Sequence, residues 1–222
     1  MDLIARGREA DVFALDADRV LRRFHDGRSA APEHAMLTAL AGLGYPVPEV
    51  AHVDGADLVM ERVDGPTMAQ ALMTGVLDGE AGARMLAALH DDLHSLAWPA
   101  AAPGECLVHL DLHPENVLLR DGRPVVIDWT NTRSGPAGLD VAMTALILAQ
   151  VAVGEPAVRS LVEPFVGAFL AFVSADPGTT LDRAVALRRT DPHQTPEELD
   201  QLDMAVALVV ACGGPEPDVG QT

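Results

Sequence analysis

One segment constrains this chain more than any other. It runs from Val108 through His109, Asp111, His113 and Asn116 to Leu119, and Val125, Val126, Ile127, Asp128 and Trp129 follow it. Two apolar stretches, each of strand length, enclose a polar loop. Asp111 opens the loop, Asn116 comes five residues later, and Asp128 closes the second stretch twelve residues beyond that. Taken singly, aspartate and asparagine are ordinary turn residues, because their side chains bond their own backbone. That reading gives a polar hairpin between two buried strands. Together, the three offer two carboxylates and one carboxamide oxygen. Such a set can hold a divalent cation against phosphate and accept a hydroxyl proton.

The spacing His109-x-Asp111-x4-Asn116, followed by Ile127-Asp128-Trp129, resembles the catalytic and metal-binding loops of the kinase superfamily. Leu112-His113-Pro114 inside the loop, and Asp128-Trp129 where protein kinases have Asp-Phe-Gly, are similar to the small-molecule branch: aminoglycoside phosphotransferases and choline-kinase-like enzymes. The resemblance implies an α+β, bilobal protein-kinase-like fold. Residues 1–63 would form a small β-rich nucleotide-binding lobe, and residues 64–222 a larger, mainly helical lobe for catalysis and acceptor binding. It implies ATP or GTP as phosphoryl donor, Mg²⁺ as cofactor and a small hydroxyl-bearing acceptor. Asp111 would be the catalytic base, Asn116 and Asp128 the metal ligands, and His109 and His113 supports of the loop.

Composition narrows the partners. The chain has 222 residues and is 49% hydrophobic, enough for a sizeable core. The longest apolar run, Val141 to Val153, is interrupted by Gln150 and falls short of a membrane span. The first residues lack the basic start and apolar stretch of a signal peptide. Only Cys106 and Cys212 occur, which fits a reducing cytoplasm. The formal charge is −18 and lysine is absent. Nucleic acid and anionic membranes are therefore disfavoured as partners, and a cationic acceptor would be attracted. The same charge also serves simple solubility. The expected state is monomer or homodimer.

Residues 1–63 read as strands and one helix. Against the kinase pattern G-x-G-x-x-G-x-V, Gly7 takes the middle glycine and Val12 the valine, with Ala5 and Ala10 at the other glycine positions. A plain hairpin fits this stretch as well. The strand Arg19 to Phe24 would carry the basic residue for the phosphates. Arg22 and Arg23 point to opposite faces, so only one can enter a cleft. The family's habit favours Arg22, with Val20 packing on the adenine. Pro32 to Leu40 reads as a helix, with Glu33 in its first turn as the ion-pair glutamate or as a favourable charge on the helix N-terminus. Ala56 to Gly65 resembles the strand leading to the lobe hinge. There the Glu61 carbonyl and Val63 N–H, beside Met60, would meet the adenine edge.

The rest reads as helices at Thr67–Leu77, Glu80–Leu96, Val141–Val151, Leu161–Val173, Leu181–Arg189 and Glu197–Cys212. Gly213 to Thr222 reads as a disordered tail. Gly-x-x-x-Asp140-x-Ala resembles the post-metal segment of the family, in which Asp140 braces the catalytic loop; the simpler role is helix N-cap. His90 and His94, four apart on a helix, could chelate zinc, although Asp91 stands where a protease helix needs glutamate. The 190–196 loop could line an acceptor pocket or serve as a capping turn. Two other functions compete with a small-molecule kinase. One is a pseudokinase, a nucleotide-binding or structural module, favoured by the missing lysine and sparse glycines. The other is a zinc hydrolase built on His90 and His94.

Overall fold

The computed structural model describes residues 1–7 and 9–213. The tail read as disordered lies, from residue 214, outside them. Five short antiparallel strands come first: β1 (Asp2–Arg6), β2 (Ala10–Ala14), β3 (Arg19–Phe24), β4 (Val50–Asp54) and β5 (Asp57–Glu61). They form one sheet in the order β1-β2-β3-β5-β4. The Asp16-Ala17-Asp18 signal makes the β2–β3 turn: Asp16 Oδ1 accepts from the Asp18 N–H at 3.0 Å. In register, Val12 stands opposite Arg22 and Val20 opposite Met60. Helix α1 (Ala31–Gly42) crosses between β3 and β4 and buries Leu37 and Leu40.

After β5 the chain turns helical. Helix α2 (Met68–Met73) starts in a reciprocal capping box between Thr67 and Gln70. Asp78 caps α3 (Gly79–Ser95) by accepting from the N–H groups of Glu80 and Ala81. Next come β6 (Cys106–Val108), the hairpin β7 (Val117–Arg120) and β8 (Arg123–Val126), and β9 (Arg133–Gly135), which pairs with β6. Helices α4 (Ala137–Gly154), α5 (Arg159–Phe172), α6 (Leu181–Thr190), α7 (Pro196–Asp200) and α8 (Leu202–Gly213) complete the described chain.

The sequence expectations need four corrections here. The β6–β9 ribbon was not anticipated, because strands of three residues carry no alternation to detect. The expected helix from Glu197 to Cys212 is two helices, broken at Gln201. The helix expected over Thr67–Leu77 is only six residues long. Asp140 is not an N-cap: α4 begins three residues earlier, and Pro136 occupies the cap position.

Helix α4 is long and apolar enough, by length and composition, to cross a membrane, but 72% of it is buried in the protein. It packs against α5, α6 and α8. Its polar interruption, Gln150, is matched. Its amide nitrogen donates to Gln194 Oε1 at 3.2 Å and the Glu198 carbonyl at 3.0 Å, and its oxygen accepts from Arg188 Nε at 2.8 Å. A matched buried amide costs little and fixes which side chains face each other.

One core joins the sheet to α1, α2, α3 and α5, and a second lies among α4, α6 and α8. Tyr45, between α1 and β4, donates its hydroxyl to the Leu89 carbonyl at 2.9 Å and meets Trp129 edge-on at 5.6 Å. The Val126 N–H donates to Pro46 O at 2.8 Å, and the Leu119 N–H to Pro66 O at 2.9 Å. The link after β5 lies tightly on the β7–β8 hairpin. Gly65 has φ of +148°, and a Cβ there would sit 2.1 Å from the Leu119 carbonyl oxygen. Gly65→Ala should therefore cost about 2 kcal/mol or more in a urea titration. Gly55→Ala, also at positive φ but in open space, should cost about 1 kcal/mol. Equal midpoints for the two variants would contradict this packing.

Candidate active site

The loop after β6 is held by a buried carboxylate. Asp140, in the first turn of α4, is fully buried. Its Oδ2 accepts from the His109 N–H at 3.1 Å and lies 2.9 Å from His94 Nε2; its Oδ1 accepts from the Leu110 N–H at 2.6 Å. Burial alone would raise this carboxyl. The His94 hydrogen bond and the neighbouring imidazoles outweigh it and bring the value down to about 2. Held this way, Leu110 adopts φ of 65°, a left-handed conformation that costs a branched residue about 1–2 kcal/mol.

His109 links the two loop ends. It is fully buried and packs on Trp129, with ring centroids 4.5 Å apart. The Asp111 N–H donates to His109 Nδ1 at 3.2 Å, so the ring hydrogen is on Nε2, 3.1 Å from the Ile127 carbonyl. Burial lowers the His109 pKa, which keeps the ring neutral as this pattern requires. Asn116 turns its amide nitrogen to Asp111, donating to its carbonyl at 2.8 Å and its Oδ2 at 3.0 Å. The Ile127 N–H donates to the Asn116 carbonyl at 3.0 Å. His113 Nε2 lies 3.5 Å from Asp111 Oδ1, and His113 Nδ1 caps the next turn by accepting from the Glu115 N–H. Asp111 and Asn116 thus touch, and the Ile127 bond brings the chain leading into Asp128 beside them.

Asp128 also has positive φ, 64°. Its Oδ1 accepts from Arg22 Nη2 at 2.8 Å and from the Thr130 hydroxyl at 3.0 Å. Arg22 Nη1 reaches Glu33 Oε1 at 3.0 Å, and Nη2 also donates to Thr130 at 3.1 Å. Burial pushes the Asp128 carboxyl up, but the Arg22 charge and its hydrogen bond hold it below the ordinary aspartate value. For Glu33 burial prevails over Arg22, and its pKa rises. Arg22 is 7% exposed and its buried Nε has no hydrogen-bond partner among the described residues. Arg23 points outward and pairs with Asp57 at 2.5 Å.

These groups line a cavity of about 1340 Å³ between the sheet and the helices. Gly7, Val20, Arg22, Met60, Glu61 and Val63 line its sheet side; Asp111, His113, Asn116 and Asp128 line the other. Pockets for a single drug-sized ligand measure roughly 300–1,000 Å³, so this one is large enough for a nucleotide and a second small molecule. The Gly7 N–H closes the β1–β2 turn onto the Ala10 carbonyl at 2.9 Å. The oxygens left over by the hydrogen bonding, Asn116 Oδ1 and Asp128 Oδ2, suit Mg²⁺, which uses few protein ligands and completes its shell with phosphate and water. His109 and Asp140 lie behind the wall as supports.

His90 and His94 do not form a chelating pair. His94 is turned to Asp140, while His90 Nδ1 lies 2.9 Å from Leu86 O and Nε2 lies 3.0 Å from Thr144 Oγ1. Among the described residues no group of three His, Cys, Asp or Glu could hold a metal ion. The 190–196 loop fits both of its readings. Thr195 and Glu198 form a capping box, and Asp191, Pro192 and His193 line the cavity. His193 lies 3.8 Å from Glu9 in the β1–β2 loop. Sequence reasoning missed Thr130, Glu9 and Glu115. Thr130 directly follows Asp128-Trp129, but no spacing marks it as a partner of Arg22.

Comparison with known proteins agrees in fold. Residues 92–180 match the model of a phosphotransferase enzyme family, and residues 10–134 match a RIO domain. No curated protein matches the chain in sequence. ADP-bound aminoglycoside phosphotransferase APH(2'')-Ib superposes with a TM-score of 0.62 at 15% identity, over 96% of this chain and 93% of that one. A streptomycin–ATP ternary complex of APH(2'')-IIa gives 0.61 at 17% identity, over 93% and 92%. A choline/ethanolamine kinase family protein from Mesorhizobium loti gives 0.56 at 17% identity, over 95% and 87%. The chain therefore has the α+β, protein-kinase-like fold.

Asp140 links this site to acid stability. Its folded pKa lies below that of an unfolded aspartate, near ~4. The stability it contributes is complete above about pH 4 and is lost as pH falls towards 2; it amounts to about 2–3 kcal/mol. Asp140→Asn should lose that amount at neutral pH and flatten the stability–pH curve between about 4 and 2. Chemical denaturation at stepped pH would reveal this, and an unchanged acid limb would contradict it.

Proposed function

We propose that this chain, which belongs to the RIO domain family over residues 10–134 and matches a phosphotransferase enzyme family over residues 92–180, moves the γ-phosphoryl group of ATP or GTP to a hydroxyl of a small molecule. The observation that carries this reading is the convergence of Asp111, Asn116, Asp128 and Arg22 on one cavity with room for two ligands. Residues 1–63 are assigned to the nucleotide and 64–222 to catalysis and the acceptor.

The roles follow from the contacts. Asp111 orients the acceptor hydroxyl and takes its proton, its backbone fixed on both sides by His109 and Asn116. Asn116 Oδ1 and Asp128 Oδ2 would hold Mg²⁺, which when bound neutralises charge building on the phosphates. Arg22 supplies the cationic fork for the α- and β-phosphates, with Glu33 as its anchor. Val20 and Met60 pack on the base, Gly7 lets the β1–β2 turn approach the phosphates, and the Glu61 carbonyl and Val63 N–H meet the base edge. Glu115, Glu155 and Asp191 line the remaining cavity, which favours a cationic, amine-bearing acceptor. The unpaired Cys106 and Cys212 suit a reducing cytoplasm.

A second reading has one observation behind it. Arg22 is locked onto Asp128 and Glu33 in a chain without lysine. A nucleotide-binding or structural module with no turnover would have the same contacts.

A phosphorylation screen over alcohols, amino sugars and amino alcohols, read by ³¹P NMR, separates the two. Turnover is expected for the first reading, and nucleotide binding without turnover overturns it. Asp111→Asn should bind Mg·ATP as the parent does and lose about 10²–10⁴-fold in transfer. Transfer within a few-fold of the parent would rule Asp111 out as the base. Arg22→Ala should weaken ATP binding by calorimetry, while the outward Arg23→Ala should leave it unchanged; the reverse pattern would displace Arg22 from its role.

A further inference from the structure

Thr144 is fully buried in α4 and has no part in the roles above. We propose that it is a positioning residue which, with Asp140 one helical turn before it, clamps the catalytic loop on both sides of Asp111. The proposal rests on the phosphotransferase reading only for what the clamp is for; the clamp itself rests on contacts. Threonine inside a helix usually bonds the carbonyl of its own preceding turn. Here the hydroxyl leaves the helix and donates to the Leu112 carbonyl at 2.8 Å.

Residues four apart share a helix face. On that face α4 offers the loop complementary chemistry. Asp140 presents acceptors to the N–H groups of His109 and Leu110, and Thr144 presents a donor to the carbonyl of Leu112. Asp111 is the residue between the anchored points. Leu112 is itself fully buried, so its carbonyl cannot turn to water if the hydroxyl is removed. His90 shares the hydroxyl: its Nδ1 donates to the Leu86 carbonyl at 2.9 Å, so Nε2, 3.0 Å from Thr144 Oγ1, is a second acceptor for the same hydroxyl hydrogen. Burial brings the His90 pKa down to about 4, so this neighbour is a neutral ring at neutral pH.

A threonine that only filled space would be replaced by valine with a loss of stability and nothing else. A clamp predicts a local and catalytic effect. Thr144→Val and Thr144→Ser are compared with the parent by two measurements. The first is amide hydrogen exchange across residues 109–116 in the protein alone. The second is Mg·ATP hydrolysis, with water as acceptor, followed by ³¹P NMR. In Thr144→Val the amides of His113 and Asn116 should exchange about tenfold faster while those of α5 are unchanged. Its kcat per folded protein should fall about 10–100-fold, with KM for ATP within about threefold. Thr144→Ser should restore both. If Thr144→Val does not fold, Thr144→Ala is read by the same criteria. Exchange that rises no more in the loop than elsewhere overturns the clamp. So does a valine variant with parental kcat. A parent that never hydrolyses ATP counts against the phosphotransferase reading instead, and the exchange comparison then decides the clamp alone.

Discussion

A carboxylate with no water around it must be surrounded by donors, and the donors Asp140 finds decide the shape of the catalytic loop. Two of the three are the N–H groups of His109 and Leu110, and the third is His94 on α3. The chain cannot bury this charge without fixing the backbone that leads into Asp111. Leaving one charge of such a network unpaired costs about 3–5 kcal/mol, more than the left-handed conformation imposed on Leu110. The strain at Leu110 is therefore held by the electrostatics beneath it. His109 passes the constraint onward, with one ring nitrogen on the Asp111 N–H and the other on the Ile127 carbonyl.

The sheet is tied to the same point by Arg22. Its fork meets Glu33 on α1 with one nitrogen and Asp128 and Thr130 with another. A lysine ammonium is a compact point charge; the planar guanidinium can serve oxygens on separate elements at fixed angles. In a chain without lysine this is a workable substitute, with one physical consequence. On the proposed role, an arginine engaged by a carboxylate on each side would share its donors with phosphate, which would couple nucleotide binding to the Asp128 contact. Its partners respond differently to burial: Asp128 stays ionised below its ordinary value, while the Glu33 pKa rises.

Much of the fold was legible in the sequence because its signals are local. The β2–β3 turn at Asp16, the strand Arg19–Phe24 and the helix after Pro32 come from turn chemistry and periodicity that neighbours in sequence carry. The loop from His109 to Asn116 was legible because several polar residues share a fixed spacing. What failed was non-local. The β6–β9 ribbon exists because two three-residue segments meet across the catalytic loop, and neither has a pattern of its own. Asp140 read equally well as a cap, since an aspartate near a helix start has the same sequence appearance whether it serves its own helix or a distant loop. His90 and His94 had metal spacing but different partners, Thr144 and Asp140. Arg22 and Arg23 could not be separated by apolar alternation, and only the sheet's placement against the helices puts one in the cavity.

Helix α4 brings these threads together. A sequence of this length and hydropathy passes as a membrane span, yet its burial comes from α5, α6 and α8. Its polar residues are the informative ones, because a buried polar group is stable only where a partner awaits it. Near its start Asp140 and Thr144 face the catalytic loop; two turns later Gln150 faces Gln194, Glu198 and Arg188, beside the wall of the cavity away from the sheet. The apolar residues between, Met143 and Ile147, line the cavity itself. One rigid element therefore sets the distance between Asp111 and the far wall of the cavity. On the proposed function, an acceptor's reach from the far wall to its reacting hydroxyl would be fixed by helix geometry, at about 1.5 Å per residue, rather than by a loop that could adjust.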